Sequence, residues 1–466
     1  MTMGTKAYYA SILAGAAGIA LALTTGAQAR APKATGKAPE SILPEAPAVP
    51  APLPAPVTPA PVGTETPPPV IAPVPVPAPQ WSARDAETLL AYAQQIGSEG
   101  LIPADYQLDA LRAALSGGAS EALNLAATQT FTWLAEDLRD GRTPMAARVQ
   151  WFAVDPDIDA NPTAALLQKA LETHDVAGVL SGLAPTHPDY RALKAALAAT
   201  PASAVTRRAQ LQANMDRWRW LVQDLGTLYL ITNVPEFQLR LATNQRIVRT
   251  YRTVVGKPGK TATPQLAETV KAVVFNPTWT VPQSIVMGEG LGPRLLANPR
   301  SARAQGYAVS RAANGYITVV QQPGDSNALG RMKIDMPNPH AIYLHDTPSK
   351  QYFSHPVRAY SHGCIRTERA VELGMTMAIL GADLTPEQAV QHNLSGQLTR
   401  VEMTKTFPVY LTYFTMGVDI NGQLSSFADI YGRDAPVLAS FKAPRQPKAG
   451  QQRKSTEAII KLDNPL

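Results

Sequence analysis

Apolar residues fall into distinct textures along this chain of 466 residues. Between positions 82 and 225, Ala and Leu recur every three or four residues: Ala86, Leu89, Leu90 and Ala93; then Leu123, Ala126, Ala127, Phe131 and Leu134; then Ala192, Leu193, Ala196 and Leu197. Side chains at that spacing share one face of a helix, so the pattern predicts amphipathic helices, with Gly100 and Gly141 as stop signals. From Thr227 the texture turns to that of strands. Leu228 to Val234, Phe237 to Ala242 and Ile247 to Val255 are the candidates, and Thr243-Asn244-Gln245 supplies a turn. The change of period places a domain boundary near residue 225. Within the β-rich half, residues 288–330 are rich in Gly, Pro, Asn and Arg and interrupt the strand pattern. Beyond them, Glu368 to Leu380 reads as a helix with Thr367 as its N-cap.

Both ends depart from these patterns. Lys6 precedes an apolar run from Tyr8 to Leu23, and Ala27-Gln28-Ala29 follows as a small-residue cleavage site. Residues 1–29 are therefore expected to be a secretory signal peptide that sends the protein to the periplasm; the alternative is an uncleaved inner-membrane anchor. Residues 31–80 hold seventeen prolines and no aromatic side chain, so they cannot build a core. An extended linker over 30–80 is expected there. Residues 441–466 are expected to form a basic, disordered tail carrying Lys442, Arg445, Lys448, Arg453 and Lys454. Elsewhere the basic residues behind the net charge of +6 are dispersed and accompany no nucleic-acid motif. In an exported protein such charge suits anionic envelope polymers or lipid head groups.

One cysteine stands in the whole chain, Cys364, within Tyr360-Ser361-His362-Gly363-Cys364-Ile365-Arg366. A lone thiol forms no intramolecular disulfide, which leaves a buried filler, a metal ligand or a nucleophile. His362 and the upstream His345, in Tyr343-Leu344-His345-Asp346, favour the nucleophile. A zinc site built from His345, His355, His362 and Cys364 is the chemical alternative, but the spacing matches no common ligand pair. His174, His187, His340 and His392 lack partner patterns and read as surface or structural residues. Gly256-Lys257-Pro258-Gly259-Lys260 lacks phosphate-loop spacing and reads as a hairpin or groove-edge loop.

The spacing of His345, a fifteen-residue stretch over 346–360, then Ser361-His362-Gly363-Cys364 with Arg366 two residues on, resembles the signature of the L,D-transpeptidase (YkuD) family. Asn327-Ala328-Leu329-Gly330-Arg331, Ile342 to Pro348, Tyr410 to Phe414 and Asp429-Ile430-Tyr431-Gly432 resemble its long, YcbB-like branch. The resemblance spans roughly residues 81–440 and is strongest after 227.

It implies an α+β architecture. A helical scaffold domain (81–225) precedes a β-rich catalytic domain (226–440), in which 288–330 forms a cap or lid over the cleft. The three-helix peptidoglycan-binding module of many long members has no room here, since only Leu197 to Arg208 is available for it. The implied substrates are peptidoglycan stem peptides, as acyl donor and as acceptor, joined by 3→3 links between meso-diaminopimelate-type stems. Carbapenems are the implied inhibitors, and no cofactor or metal is called for. Protein attachment, exchange of the terminal D-amino acid and hydrolysis use the same nucleophile; a non-catalytic wall-binding protein is a further alternative.

In this scheme Cys364 is the nucleophile and His345 the general base, oriented by Asp346 or a backbone carbonyl. The N–H groups of Gly363 and Cys364 form the oxyanion hole, and His362 either supports negative charge there or shapes the turn. A helix starting soon after Cys364 would place the thiol before a positive dipole end. Arg366 either binds a stem carboxylate or makes an internal salt bridge. Tyr343 and Trp279 line the donor groove or are packed structural aromatics, and Ser361 belongs to the substrate-contacting turn.

Overall fold

The computed structural model describes residues 79–153, 155, 161–448 and 460. The expected signal peptide, nearly all of the linker and most of the basic tail lie outside the described residues.

The N-terminal part is helical. Its elements are α1 (Ala83–Gln94), α2 (Leu108–Ser116), α3 (Glu121–Asp140), α4 (Thr163–Thr173), α5 (Val176–Ser181), α6 (Pro188–Ala199) and α7 (Val205–Trp218). Ser82 and Ser120 cap α1 and α3 by accepting from Asp85 N–H and Leu123 N–H, which satisfies helix donors that have no intrahelical partner. Gly141 ends α3 at φ +79°, and a Cβ there would sit 2.6 Å from Trp220 Nε1, so the stop signal is also a packing requirement. Helices α1 to α5 close over one core around Leu89, Tyr106, Phe131 and Leu134. Helices α6 and α7 turn away from it. They contribute Tyr190, Leu193, Met215 and Trp218 to a second core shared with the sheet residues Tyr229, Ile231 and Tyr410.

The sheet follows with β1 (Leu228–Asn233), β2 (Gln238–Thr243), β3 (Arg246–Gly256), β4 (Leu266–Thr269) and β5 (Ala272–Phe275). Asn244 and Gln245, at φ +48° and +62°, make the tight turn between β2 and β3. An excursion contains β6 (Trp279–Thr280), α8 (Gln283–Val286), α9 (Leu291–Ala297), α10 (Pro299–Ala304), β7 (Tyr307–Arg311) and β8 (Ile317–Gln321). Its three strands form a separate sheet with its own small core of Val281, Val286, Leu295, Ile317 and Val319. The insertion expected at 288–330 therefore begins earlier, at Trp279, and its strands end at Gln321.

The chain then returns through β9 (Met332–Asp335), β10 (Leu344–His345), β11 (Ala359–Ser361) and β12 (Ile365–Thr367), followed by α11 (Ala370–Ala382) and α12 (Pro386–Leu394). It closes with β13 (Thr399–Glu402), β14 (Pro408–Thr412), the β15–β16 hairpin (Met416–Val418, Leu424–Ser426) and α13 (Asp434–Lys442). The main sheet runs β13-β5-β9-β10-β12-β3-β2-β1-β14-β4, and β11 also pairs with β3. Successive side chains of β1 and β2 point to opposite faces. Tyr229 and Ile231 therefore meet the helical part, while Leu228 and Leu230 enter the core that supports the β10–β12 region.

Two expectations are corrected here. Thr367 is a buried strand residue rather than an N-cap, because the backbone continues from Cys364 into β12. Helix α11 starts only at Ala370, with Arg369 in the left-handed region at its N-terminus. Residues 441–448 of the expected disordered tail are described, and they pack on the helical part. Arg445 and Lys448 fold back onto α3, where Arg445 Nε lies 2.9 Å and Lys448 Nζ 3.0 Å from the fully buried Asp137 carboxylate. The same carboxylate accepts from Tyr106 Oη at 3.0 Å. Removing a partner from such a buried pair strands a charge. We expect Arg445→Ala to lower unfolding free energy by about 3 kcal/mol in urea titrations; an unchanged midpoint would mean the docked tail adds nothing.

Candidate active site

The site is built from a two-residue parallel ladder. Leu344 pairs with Ile365 and His345 with Arg366, and Ile365 N–H donates to Tyr343 O at 3.0 Å. One step back along both strands, Tyr343 and Cys364 are neighbours. Residues two apart in a strand share a face, so Tyr343, His345, Cys364 and Arg366 fall on the same side of the sheet. His345 and Cys364 are then diagonal neighbours, roughly 7–8 Å apart at their backbones, within reach of an imidazole and a thiol.

His345 is buried, and its Nδ1 meets the carbonyl of Asp346 at 2.5 Å. A carbonyl only accepts, so Nδ1 carries the proton and Nε2 is left as the basic nitrogen. The orienting group is thus a backbone carbonyl. The Asp346 carboxylate is engaged elsewhere: it accepts from Arg331 N–H at 3.0 Å and pairs with Lys350. Gly330 lies so close to it that a Cβ would come within 2.3 Å of Oδ2.

The thiol sits among donors and cations. Tyr343 offers both its N–H and its hydroxyl to the Cys364 sulfur, and Trp279 in turn donates to the Tyr343 oxygen. Cys364 Sγ also lies 3.5 Å from Ala341 O. The residue is only half-buried by surface, but atoms crowd its sulfur, and that enclosure governs proton affinity. Enclosure pushes the thiol above its ordinary 9.0, against the opposing pull of Tyr343, Lys333 and Arg366. His345 is pushed down to about 3, first by burial and then by the Arg366 charge, with Lys333 and Lys350 adding to it. The resting pair is therefore neutral thiol and neutral imidazole. The expected help from a helix dipole is absent at Cys364, because β12 separates it from α11.

The turn before Cys364 is closed by Ser361. Its hydroxyl accepts Gly363 N–H at 3.1 Å and donates to Cys364 O at 2.6 Å. This corrects two assignments: Ser361 holds the turn instead of facing a substrate, and the Gly363 N–H is unavailable as an oxyanion donor. Gly363 itself adopts φ +120°, which favours glycine. The Cys364 N–H has no acceptor among the described residues.

His362 reaches to the insertion, where its Nε2 meets Glu289 Oε1 at 2.9 Å. Its expected oxyanion role is replaced by a link between the motif and the excursion. Arg366 has no carboxylate partner among the described residues and lies 6.0 Å over the Tyr352 ring, so the internal salt bridge is not formed. Trp279 is half-buried in β6, and Tyr343 packs edge-on to His345 with ring centroids 5.5 Å apart.

The histidines of the zinc alternative are dispersed. His355 bonds Tyr360 Oη at 2.9 Å, and no group of three metal-ligating residues occurs among the described residues. Sequence reasoning missed Thr263 and Lys333, which reach the site from β-strand and loop positions with no local motif. Lys333 Nζ lies 4.6 Å over the Tyr343 ring.

Residues 227–374 match the model of the L,D-transpeptidase catalytic domain, YkuD, and residues 77–197 match that of a scaffold domain. A putative L,D-transpeptidase of Haemophilus influenzae is 28% identical over 223 residues, which is 45% of this chain and 45% of that protein. The match therefore takes in less than half of the curated relative. Among solved structures, an L,D-transpeptidase from Mycobacterium smegmatis is 16% identical, covering 40% of this chain and 59% of that one at a TM-score of 0.20. L,D-transpeptidase 3 from Mycobacterium tuberculosis, in complex with a faropenem-derived adduct, is 12% identical over 40% of this chain and 60% of that one, again at 0.20.

A neutral resting pair has a measurable signature. Iodoacetamide should alkylate Cys364 at a rate that climbs roughly tenfold per pH unit between pH 6 and 8, following the thiolate fraction. A plateau below pH 8 would instead reveal a thiolate–imidazolium pair.

Proposed function

We propose that this chain, whose residues 227–374 match the L,D-transpeptidase catalytic-domain model and residues 77–197 a scaffold-domain model, is a cysteine acyltransferase making 3→3 cross-links between peptidoglycan stem peptides in the periplasm. The observation that carries this reading is the single sheet face shared by Cys364, Tyr343, His345 and Arg366, with the proton on His345 Nδ1 fixed by the Asp346 carbonyl.

Cys364 Sγ attacks the carbonyl of the L-centre of the third residue in a tetrapeptide stem. A C–S bond forms as His345 Nε2 takes the thiol proton. The imidazolium then gives that proton to the departing D-alanine amine, and the C–N bond breaks. The thioester waits until the amine of a second stem attacks it, which regenerates the thiol. Water in place of that amine would give a tripeptide instead of a cross-link. The Cys364 N–H is the oxyanion donor. Tyr343, with Trp279 behind it, stabilises negative charge on sulfur.

Arg366 takes a carboxylate of the donor stem, for which it is fitted by having no ion pair among the described residues. That capture has a second effect. Arg366 is the foremost charge depressing His345, so neutralising it raises the basicity of the imidazole when the substrate is in place. An amide is a poor electrophile, and this arrangement reserves the active base for the bound donor. Carbapenems should acylate the same sulfur, since their strained carbonyl presents the same electrophile beside a carboxylate.

Purified tetrapeptide muropeptides incubated with the protein should yield tripeptide–tetrapeptide dimers and free D-alanine by mass spectrometry, with none from Cys364→Ala. Tripeptide monomers alone would replace cross-linking by hydrolysis; identical spectra for the two proteins would remove the enzymatic reading. Arg366→Gln should raise KM for the tetrapeptide by about 10- to 100-fold, the loss of a charge-assisted hydrogen bond. An unchanged KM in steady-state assays would assign Arg366 to the turn rather than to the substrate.

A further inference from the structure

Thr263 lies in the loop between β3 and β4, a hundred residues before the nucleophile, and is fully buried. Its hydroxyl accepts from Gly256 N–H at 2.9 Å and donates to Gly363 O at 2.8 Å. The direction of the second bond is unambiguous. Gly256 N–H and the Gly363 carbonyl are a pure donor and a pure acceptor, so the hydroxyl proton must point at Gly363.

The Gly363 carbonyl and the Cys364 N–H belong to one peptide unit. In a planar trans peptide they point in opposite directions, so whatever grips the carbonyl also sets the aim of the N–H. The peptide units on either side are pinned by other groups, since Gly363 N–H goes to Ser361 and Cys364 O receives the Ser361 hydroxyl. Among the described residues, Thr263 alone holds the middle one by a side chain. Gly363, with no Cβ, offers little resistance of its own to rotation of that plane.

Thr263 is itself braced. Its N–H donates to Tyr431 Oη at 3.3 Å, and that hydroxyl donates to Gly256 O at 2.6 Å. Its carbonyl accepts from Arg433 Nη2 at 3.2 Å. The Arg433 guanidinium stacks 4.8 Å over the Tyr431 ring and 4.9 Å over Tyr413. Asp429 closes the assembly by accepting from Tyr413 Oη and Arg433 N–H, at 2.6 and 2.8 Å. A partly buried frame running from Asp429 to Arg433 thus ends on one peptide plane of the turn before Cys364. Gly256 permits the close approach: a Cβ there would collide with Thr261 O at 1.9 Å.

We propose that Thr263, held by Tyr431 and Arg433, is a positioning residue that aims the Cys364 N–H at the oxyanion formed when the sulfur attacks a carbonyl. The assignment rests on the acyl-transfer reading above and adds to it the group that sets the oxyanion donor. A hydrogen bond to the carbonyl of a peptide also polarises its N–H, which strengthens the same donor.

Acylation and alkylation of one sulfur separate this role from a merely structural one. Attack on a carbapenem carbonyl develops an oxyanion; displacement of iodide from iodoacetamide develops none. In the full chain, Thr263→Val should slow carbapenem acylation, followed by intact mass, on the order of 10- to 100-fold, somewhat less than deletion of an oxyanion donor causes. Its iodoacetamide rate should stay within about twofold, because the thiol is untouched. Thr263→Ser, which keeps the hydroxyl, should restore acylation. Tyr431→Phe, which loosens the brace but leaves Thr263 in place, should slow acylation several-fold with alkylation unchanged, and it decides the matter if Thr263→Val does not fold. Equal losses in both reactions, or failure of Ser to rescue, would overturn the positioning role. A wild-type protein that alkylates but is never acylated by carbapenem or tetrapeptide would instead overturn the acyl-transfer reading, and this assignment with it.

Discussion

The parallel pairing of β10 with β12 is the constraint on which the site depends. Only two residue pairs make it, Leu344 with Ile365 and His345 with Arg366. So short a ladder cannot hold itself, because a handful of hydrogen bonds does not offset the entropy of ordering both segments. It is held from outside. β9 lies antiparallel on one flank, β3 on the other, and Leu344 and Ile365 are fully buried in the core beneath. The apolar residue between Tyr343 and His345 thus fixes the register that presents both of them to the cleft. A shift by one position would turn the whole set to the opposite face.

The turn linking β11 to β12 is constrained just as tightly, with a different currency of contact. Ser361, Thr263 and Tyr343 pin its successive peptide units through hydrogen bonds, and Gly363 supplies a backbone shape that other residues resist. Cys364 therefore emerges on a rigid corner without a helix dipole behind it. Its surroundings are polarised instead by cations and by the Tyr343 donors. Burial outweighs them in the free protein, leaving thiol and imidazole neutral. This differs from a preformed ion pair, and Arg366 is the foremost charge that holds His345 neutral.

The excursion between Trp279 and Gln321 has a core of its own, so it can behave as a unit with respect to the sheet. It reaches the site at two places of contrasting character. Trp279 donates to the Tyr343 hydroxyl in a half-buried setting, and Glu289 meets His362 at the exposed rim. The helical part is attached more firmly. Arg217 on α7 pairs with Asp434 of α13 at 2.7 Å, and the α6–α7 residues share a continuous apolar core with β1, β2 and β14. Its contribution to the site is indirect, through the sheet face that it buries.

Much was legible in the sequence. The helical period over 82–225, the β1–β3 strands with their Asn244-Gln245 turn, and the spacing from His345 to Cys364 depend on neighbouring residues, and local chemistry decides them. Residue types also singled out Cys364 and His345, which the β10–β12 register places on one face. What the sequence left open was settled by contacts between distant segments. Asp346 orients His345 through its carbonyl because its carboxylate is drawn to Arg331 and Lys350. His362 turns to Glu289, which lies 73 residues earlier, and Gly363 surrenders its N–H to Ser361 because a buried turn satisfies its own donors first. Thr367 became a strand residue through pairing with Thr253, against its preference as a cap, and Arg445 left the expected disordered tail for the buried Asp137. The identity of the candidate groups was thus written locally. Their orientation, protonation and hydrogen-bond partners were fixed only by the tertiary structure, because burial and long-range pairing determine which polar groups are already spoken for.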